Sequence, residues 1–412
     1  MHTVISPELS SDPRAVAAEK VLRKCVHCGF CLATCPTYNL LGDELDSPRG
    51  RIYLIKQVVE GATPTRQTLT HLDRCLTCRN CETTCPSGVE YSHLLDNGRA
   101  MVEERVQRPV KQRLLRRAVL AVLPFQKRVT PLVKMGQFFR PILPRFVRSS
   151  VPSRQYCSAA PTGKHERTML ILDGCVQPAM TPATNSAVAR ILDSLSISTV
   201  SGAQAGCCGA ISFHLNEQEQ AKTMMRRNID AWWPHIEAGA EAIITTASGC
   251  GVMVKDYKTA LADDKQYCDK AARISDMCKD IAEVLSREDV SRLQFKAAAV
   301  GAVAFHPPCT LQHGQKLSGV TESLLRSLGF NLVAFNDSHT CCGSAGTYSL
   351  FQPALSKQLK LQKVESIVAS KPDIVATSNI GCQLHLQSGT DTPVVHWVEL
   401  IDRLLDESTR QP

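Results

Sequence analysis

Two cysteine runs near the N-terminus have the residue type and spacing to hold metal. Cys25-Val26-His27-Cys28-Gly29-Phe30-Cys31-Leu32-Ala33-Thr34-Cys35-Pro36 and Cys75-Leu76-Thr77-Cys78-Arg79-Asn80-Cys81-Glu82-Thr83-Thr84-Cys85-Pro86 share the pattern C-x2-C-x2-C-x3-C-P. In that spacing three thiolates close around one face of an iron–sulfur cube. The fourth, followed by proline, crosses to the neighbouring cube. The expected ligand sets are Cys25, Cys28, Cys31 and Cys85 for one [4Fe–4S] cluster, and Cys75, Cys78, Cys81 and Cys35 for the other. Eight thiolates could also fill two zinc tetrahedra. Zinc knuckles, however, pair across a spacer, and a third Cys plus Cys-Pro, repeated in full, fits them poorly. Disulfides are disfavoured, because nothing in the chain directs it to an oxidising compartment.

Nineteen cysteines is a high count for such a chain, and eight more fall into a second pattern. Cys175, Cys207-Cys208-Gly209 and Cys250 recur as Cys309, Cys341-Cys342-Gly343 and Cys382, at offsets of 134, 134 and 132 residues. A near-constant offset predicts duplicated structure. Adjacent cysteines can face one ligand only on a turn, which Gly209 and Gly343 permit. Each quartet (Cys175, Cys207, Cys208, Cys250; Cys309, Cys341, Cys342, Cys382) is therefore a candidate site for a further cluster. The competing reading is buried small hydrophobes or a local thiol pair. Cys157, Cys268 and Cys278 lack partners at ligand spacing. His306 and His313 beside Cys309 read as scaffolding, whereas His385 sits where a further ligand could be. No catalytic residue is singled out.

The elements around these cysteines follow from periodicity. Ser47-Pro48 can cap and start a helix that Gly61 stops, with Ile52, Ile55, Val58 and Val59 on one face. A second helical pattern spans His93–Arg105, so the first domain is expected to be a helical ferredoxin domain. In each repeat an apolar run leads to the first Cys. Helical patterns (Ala183–Leu195 and Glu217–Ile236; Gly319–Leu328 and Gln352–Ser370) then alternate with short strands, which predicts a largely parallel sheet with the cysteines at strand ends. The fold class is α + α/β: an N-terminal helical two-[4Fe-4S] ferredoxin domain followed by two duplicated α/β Cys-Cys-Gly repeat lobes. The expected boundaries are 1–106, a basic amphipathic linker at 107–165, and repeats at 166–295 and 296–412.

The 412 residues suffice for two or three domains, and 43% hydrophobic with 21% charged content is ordinary for a globular protein. The net charge of +8 is uneven, because Arg105–Arg148 carries twelve Lys/Arg and no acid, leaving the remainder net acidic. Within it, Lys111, Arg113, Arg116 and Arg117 are expected opposite an apolar helical face of Val110, Leu114, Leu115, Ala118, Val119 and Val122. That face reads either as a solvated linker packed on the next domain or as docking for anionic lipid or an acidic partner. Prolines 124, 131, 141 and 144 are expected to break the segment into short pieces. Few aromatics interleave there for base stacking, so no nucleic acid is expected. Met1–Lys24 has no apolar signal region, and no apolar run is long enough to span a membrane, which predicts a cytoplasmic protein, peripheral on the inner face of the membrane.

Tandem C-x2-C-x2-C-x3-C-P runs joined to two Cys-Cys-Gly repeats resemble the iron–sulfur subunits of glycolate oxidase (glycolate dehydrogenase). The resemblance covers Cys25 to Cys382 and includes Ser47-Pro48-Arg49-Gly50-Arg51 and Ser378-Asn379-Ile380-Gly381-Cys382. It is shared more loosely with subunits of anaerobic glycerol-3-phosphate dehydrogenase, lactate-utilisation proteins and heterodisulfide reductase. It implies an electron-transfer subunit with two [4Fe-4S] clusters, serving flavoprotein subunits that oxidise glycolate to glyoxylate and passing electrons towards quinone. No G-x-G-x-x-G follows a predicted strand, so no flavin is expected on this chain. The heterodisulfide reductase pattern ends each repeat in C-x-x-C. Met253 and His385 stand at the second position here, which argues against a five-thiolate cluster. A repeat-based reductase and a structural or nucleic-acid-binding protein are the competing functions.

Overall fold

The computed structural model describes residues 1–142, 144, 151–155, 161, 163–295 and 301–405. Arg145, Phe146 and Arg148 of the basic stretch, Cys157, and residues 296–300 of the second repeat's opening run lie outside the described residues. Contacts divide the chain into two units. The first comprises 1–117, 214–216 and 339–363, and the second 118–213, 217–338 and 364–412. The turn holding Cys341 and Cys342 thus belongs to the first unit, while Cys309 and Cys382 belong to the second.

The first unit is helical. Helices Pro13–Lys24, Pro48–Val59, Arg66–Asp73 and Tyr91–Arg105 bury Leu22, Ile55, Leu72, Leu94, Leu95 and Val102 in one core. Asp12 and Thr65 cap two of these helices, and Ser47 caps a third by accepting from Gly50 N–H at 2.9 Å. Gly50 has no room for a side chain, because a Cβ there would lie 2.0 Å from the Glu44 carbonyl oxygen. The close approach seats the helix start against the Glu44–Leu45 backbone.

The second unit carries both repeats. Strands β1 (Arg167–Ile171), β2 (Ile197–Val200), β3 (Ile243–Thr245) and β4 (Cys278–Asp280) form a parallel sheet ordered β2-β1-β3-β4. Strands β5 (Val303–His306), β6 (Ile374–Thr377) and β7 (Val394–His396) form a second parallel sheet, with Leu332 bridging to Val303 where the first sheet has β2. The duplication in the cysteines is therefore a duplication of topology. The expected strand before Cys341 shrinks to that bridge, since the turn-forming Asn336-Asp337 follows at once, with Asp337 at φ 54°.

The repeats share one core around Ile191, Leu192, Ile244, Ala376 and Trp397. Polar contacts join them: Ser248 N–H donates to Ser378 O (3.1 Å), Thr184 to Glu399 (2.7 Å), and Arg190 pairs with Asp402. Asp280 and His396 occupy matching positions at the ends of β4 and β7, each capping the helix that follows. Burial drives both towards neutrality, Asp280 up to about 6 and His396 down to about 4.

The basic segment departs from expectation at Pro131. It lies inside a continuous helix, Gln126–Phe139, and does not end it. Among the described residues no helix is long and apolar enough to cross a membrane.

Candidate metal centres

The two N-terminal loops share one backbone path. A helix ends one or two residues before each first cysteine, at Lys24 and at Asp73, and the cysteine N–H bonds back to the last turn: Cys25 to Leu22 O (3.1 Å) and Cys75 to Leu72 O (3.2 Å). The second and fourth residues after it are left-handed in both loops, His27 and Gly29 in one, Thr77 and Arg79 in the other. Three of these four are not glycine, and that strain is the kind retained where a ligand fixes the loop.

Cys25, Cys28, Cys31 and Cys85 all line one cavity of about 450 Å³, open to solvent, together with Cys81 of the second motif and Pro48, Arg49, Ile52, Pro86 and Tyr91. Burial pushes the Cys31 thiol up to about 11, and the charges of Cys25, Cys35 and Cys28 add to the rise. Cys81, buried, is pushed well up by burial and then by Cys78, Cys75, Glu82 and Cys35. Thiols this crowded resist ionisation until a cation replaces their protons. An all-sulfur donor set suits iron–sulfur clusters or zinc, not hard cations. The residues fit the implied clusters. N–H donors reach the sulfurs, as from Thr77 to Cys75 (3.4 Å).

In the first repeat the four thiols meet. Cys175 packs against Cys207, and the neighbouring Cys175 and Cys208 thiols hold Cys207 well below the usual thiol range despite its burial; Gly209 N–H (3.5 Å) and the Arg227 charge act in the same direction. Cys207, Cys250 and burial push the Cys208 thiol well up. The turn is clamped from behind by two buried side chains. Asn228 donates to Cys207 O (2.9 Å) and Tyr257 to Cys208 O (2.9 Å). Gly209, at φ 93°, makes the turn possible. Arg227 presses on Gly206, and its Nε and Nη2 are buried without an acceptor among the described residues. An anionic cluster within the quartet would supply one.

The second Cys-Cys-Gly repeats the turn, with Gly343 at φ 88° and its N–H 3.4 Å from Cys341 Sγ. In the second unit, Asn379 Nδ2 donates to Cys382 Sγ at 3.6 Å, and a His306 ring nitrogen lies within 4.8 Å of that sulfur. Sequence spacing favoured His385 as the extra ligand. The structure brings His306 there, and its place at the carboxyl end of β5 was the available signal. Cys268 and Cys278 are free thiols; Cys278, buried in β4, donates to Gly251 O (3.8 Å). Asp43, Asp46 and His71 also gather, but Arg51, Arg74 and His71 already occupy the Asp46 oxygens.

Of the four basic residues on the helix Val110–Val122, Lys111, Arg113 and Arg117 are exposed, beside exposed Val110, Leu114 and Leu115. Arg116 departs from the amphipathic pattern. It turns inward to Glu103 (3.3 Å) and Leu215 O (3.3 Å) and lies over the Phe351 ring. Burial, followed by the nearby Arg108 cation, lowers its pKa.

Residues 21–89 match the family described as the 4Fe-4S dicluster domain, and residues 169–255 and 303–387 each match the cysteine-rich domain. The class so defined is an iron–sulfur protein with duplicated cysteine-rich repeats, and two [4Fe–4S] clusters are its cofactors. The chain is 51% identical over 408 residues to the glycolate oxidase iron-sulfur subunit of Escherichia coli (strain K12), covering 99% of this chain and 100% of that protein. It is 30% identical over 422 residues, 94% of each chain, to the probable glycolate oxidase iron-sulfur subunit of Bacillus subtilis (strain 168). Lactate utilization protein A of Exiguobacterium sp. is 26% identical over 239 residues, 55% of this chain and 94% of that protein. The chain belongs to the family of glycolate oxidase iron–sulfur subunits.

The buried quartet yields a direct expectation. About eight irons per chain account for two cubes, and the anaerobically purified protein should hold more. Cys207→Ser should bring the count back to about eight. A parent protein already at about eight would show that the first repeat holds no cluster.

Proposed function

We propose that this chain is the electron-transfer subunit of a flavin-linked glycolate dehydrogenase, taking electrons from flavoprotein partners and delivering them towards membrane quinone. Cys25, Cys28, Cys31 and Cys85 hold one cluster, and Cys75, Cys78, Cys81 and Cys35 the other. Bound there, [4Fe–4S] clusters supply one-electron storage. Oxidation of a 2-hydroxyacid to the oxoacid releases two electrons and two protons, and quinone takes up the same number. The thiol loops hold the cluster sites against a helical core, and Ile52 and Tyr91 restrict water at the first of them. The observation that carries the reading is the convergence of Cys25, Cys28, Cys31 and Cys85 on one cavity. The choice of glycolate rests on likeness to the relatives and not on a residue that touches substrate.

The test is to purify the chain with its partners anaerobically and add one substrate at a time. Glycolate should reduce the clusters, read by EPR, faster than lactate or glycerol 3-phosphate. Reduction by either of those, with none by glycolate, would overturn the assignment.

The exposed cations of the helix Val110–Val122, set beside Leu114 and Leu115, suit attachment to an anionic lipid surface. Changing Lys111, Arg113 and Arg117 together to Gln should abolish co-sedimentation with phosphatidylglycerol-containing vesicles. Arg116 is left in place because it serves the ion-pair network. Unchanged sedimentation would refute lipid docking.

A further inference from the structure

The helix Pro48–Val59 sends two arginines in different directions. Arg49 lines the first cavity and pairs with Glu44 at 2.7 Å, with its side chain 32% exposed. Arg51 is only 1% exposed. Its Nε donates to His71 O (2.7 Å), and its Nη2 donates to Thr37 Oγ1 (3.1 Å) and pairs with Asp46 (3.4 Å). Thr37 Oγ1 lies 3.4 Å from Cys35 Sγ and donates to Asp46 O. The guanidinium is thus one hydroxyl away from a sulfur of the second ligand set. The charges of Cys75 and Cys35 both act on it, pulling its pKa up against burial.

The surroundings do not cancel this cation. Asp46, fully buried, divides its oxygens among Arg51, His71 (3.0 Å) and Arg74 (2.7 Å). Arg99, also buried, donates to Cys75 O (2.8 Å), with Asp96 as its nearby acid, itself shared with His214. Around the second site the cations Arg51, Arg74, Arg79 and Arg99 stand against the carboxylates Asp46, Asp96 and Glu82. At the first, the arginine is partly exposed, reached by water and paired one-to-one.

We propose that Arg51 raises the reduction potential of the second cluster above that of the first. The inference rests on the ligand sets proposed above. A cluster gains negative charge on reduction, and a buried cation stabilises that charge far more than an exposed one. With both clusters bound, Arg51 would favour residence of the electron at the second site, with no bond made or broken and no proton moved. The second site also adjoins the second repeat's Cys-Cys-Gly turn within the first unit. Asn80, between Arg79 and Cys81, donates to Thr34 O (3.1 Å) and His339 O (3.4 Å), and buried Tyr348 feels the charges of both Cys75 and Cys341. Arg51 is thus a positioning residue for the electron, holding it on the side of Cys341 and Cys342.

The test is a redox titration of the full chain followed by EPR. Cys28→Ser and Cys78→Ser assign the two signals, and the iron content of these variants judges the ligand sets independently of Arg51. Arg51→Gln should lower the reduced-to-oxidised ratio of the second cluster about tenfold at fixed potential, or about 59 mV for one electron, with the first cluster unmoved. Arg51→Lys should stay within about twofold of the parent. Asp46→Asn, which leaves the cation uncompensated, should move the same signal the opposite way, and it decides the matter if Arg51→Gln fails to fold. Equal shifts in both clusters, shifts of one sign in both variants, or no shift with both clusters assembled would overturn the proposal.

Discussion

Eight thiols gathered in one small helical unit repel one another as they ionise, and much of that unit works against the repulsion. Backbone N–H groups point at sulfur, as from Thr77 to Cys75. Guanidinium groups are buried where the thiols are most enclosed, as with Arg51 and Arg99. The helices that deliver Cys25 and Cys75 are locked by a core of fully buried leucines and isoleucines. Without that rigidity the thiols would separate to relieve their charge. With it, ionisation waits for a metal, and metal binding becomes folding energy.

The first repeat meets the same constraint by other means. Its thiols come from the loop after β1, from one left-handed turn and from the first turn of the helix Ser248–Lys255 that follows β3, and Asn228 and Tyr257 hold the left-handed turn by its carbonyls. Parallel sheets gather residues at the carboxyl ends of their strands, so cysteines distant in sequence become neighbours in space. Cys175 and Cys208 hold the Cys207 thiol low, and Arg227 has two buried nitrogens without a partner among the described residues. Both features suit an anionic group seated among the sulfurs.

Much of this was legible in the sequence, for a physical reason. Cluster ligation imposes short, fixed spacings, and duplication leaves a constant offset, so Cys25–Cys85 and the paired Cys-Cys-Gly motifs announce themselves. The start of the helix at Ser47-Pro48 was legible because capping chemistry is local. What depends on distant partners was not. Arg116 looks like its neighbours on a helical wheel, but Glu103, Asp73, Leu215 and Phe351, distant in sequence, draw it inward. His306 reads as scaffolding until the parallel pairing of β5 with β6 sets it near Cys382. Strands β4 and β7 are three residues each, too short to leave a period. The grouping of Cys341 and Cys342 with the N-terminal unit has no local signature.

The central claim is that each cubic cluster takes its fourth thiolate from the other motif. The direct measurement is EPR of single Cys→Ser variants in the reduced protein. Cys85→Ser should perturb the signal that Cys28→Ser perturbs, and Cys35→Ser the signal that Cys78→Ser perturbs. If Cys85→Ser instead altered the Cys78 signal and left the Cys28 signal intact, the crossed arrangement would be contradicted.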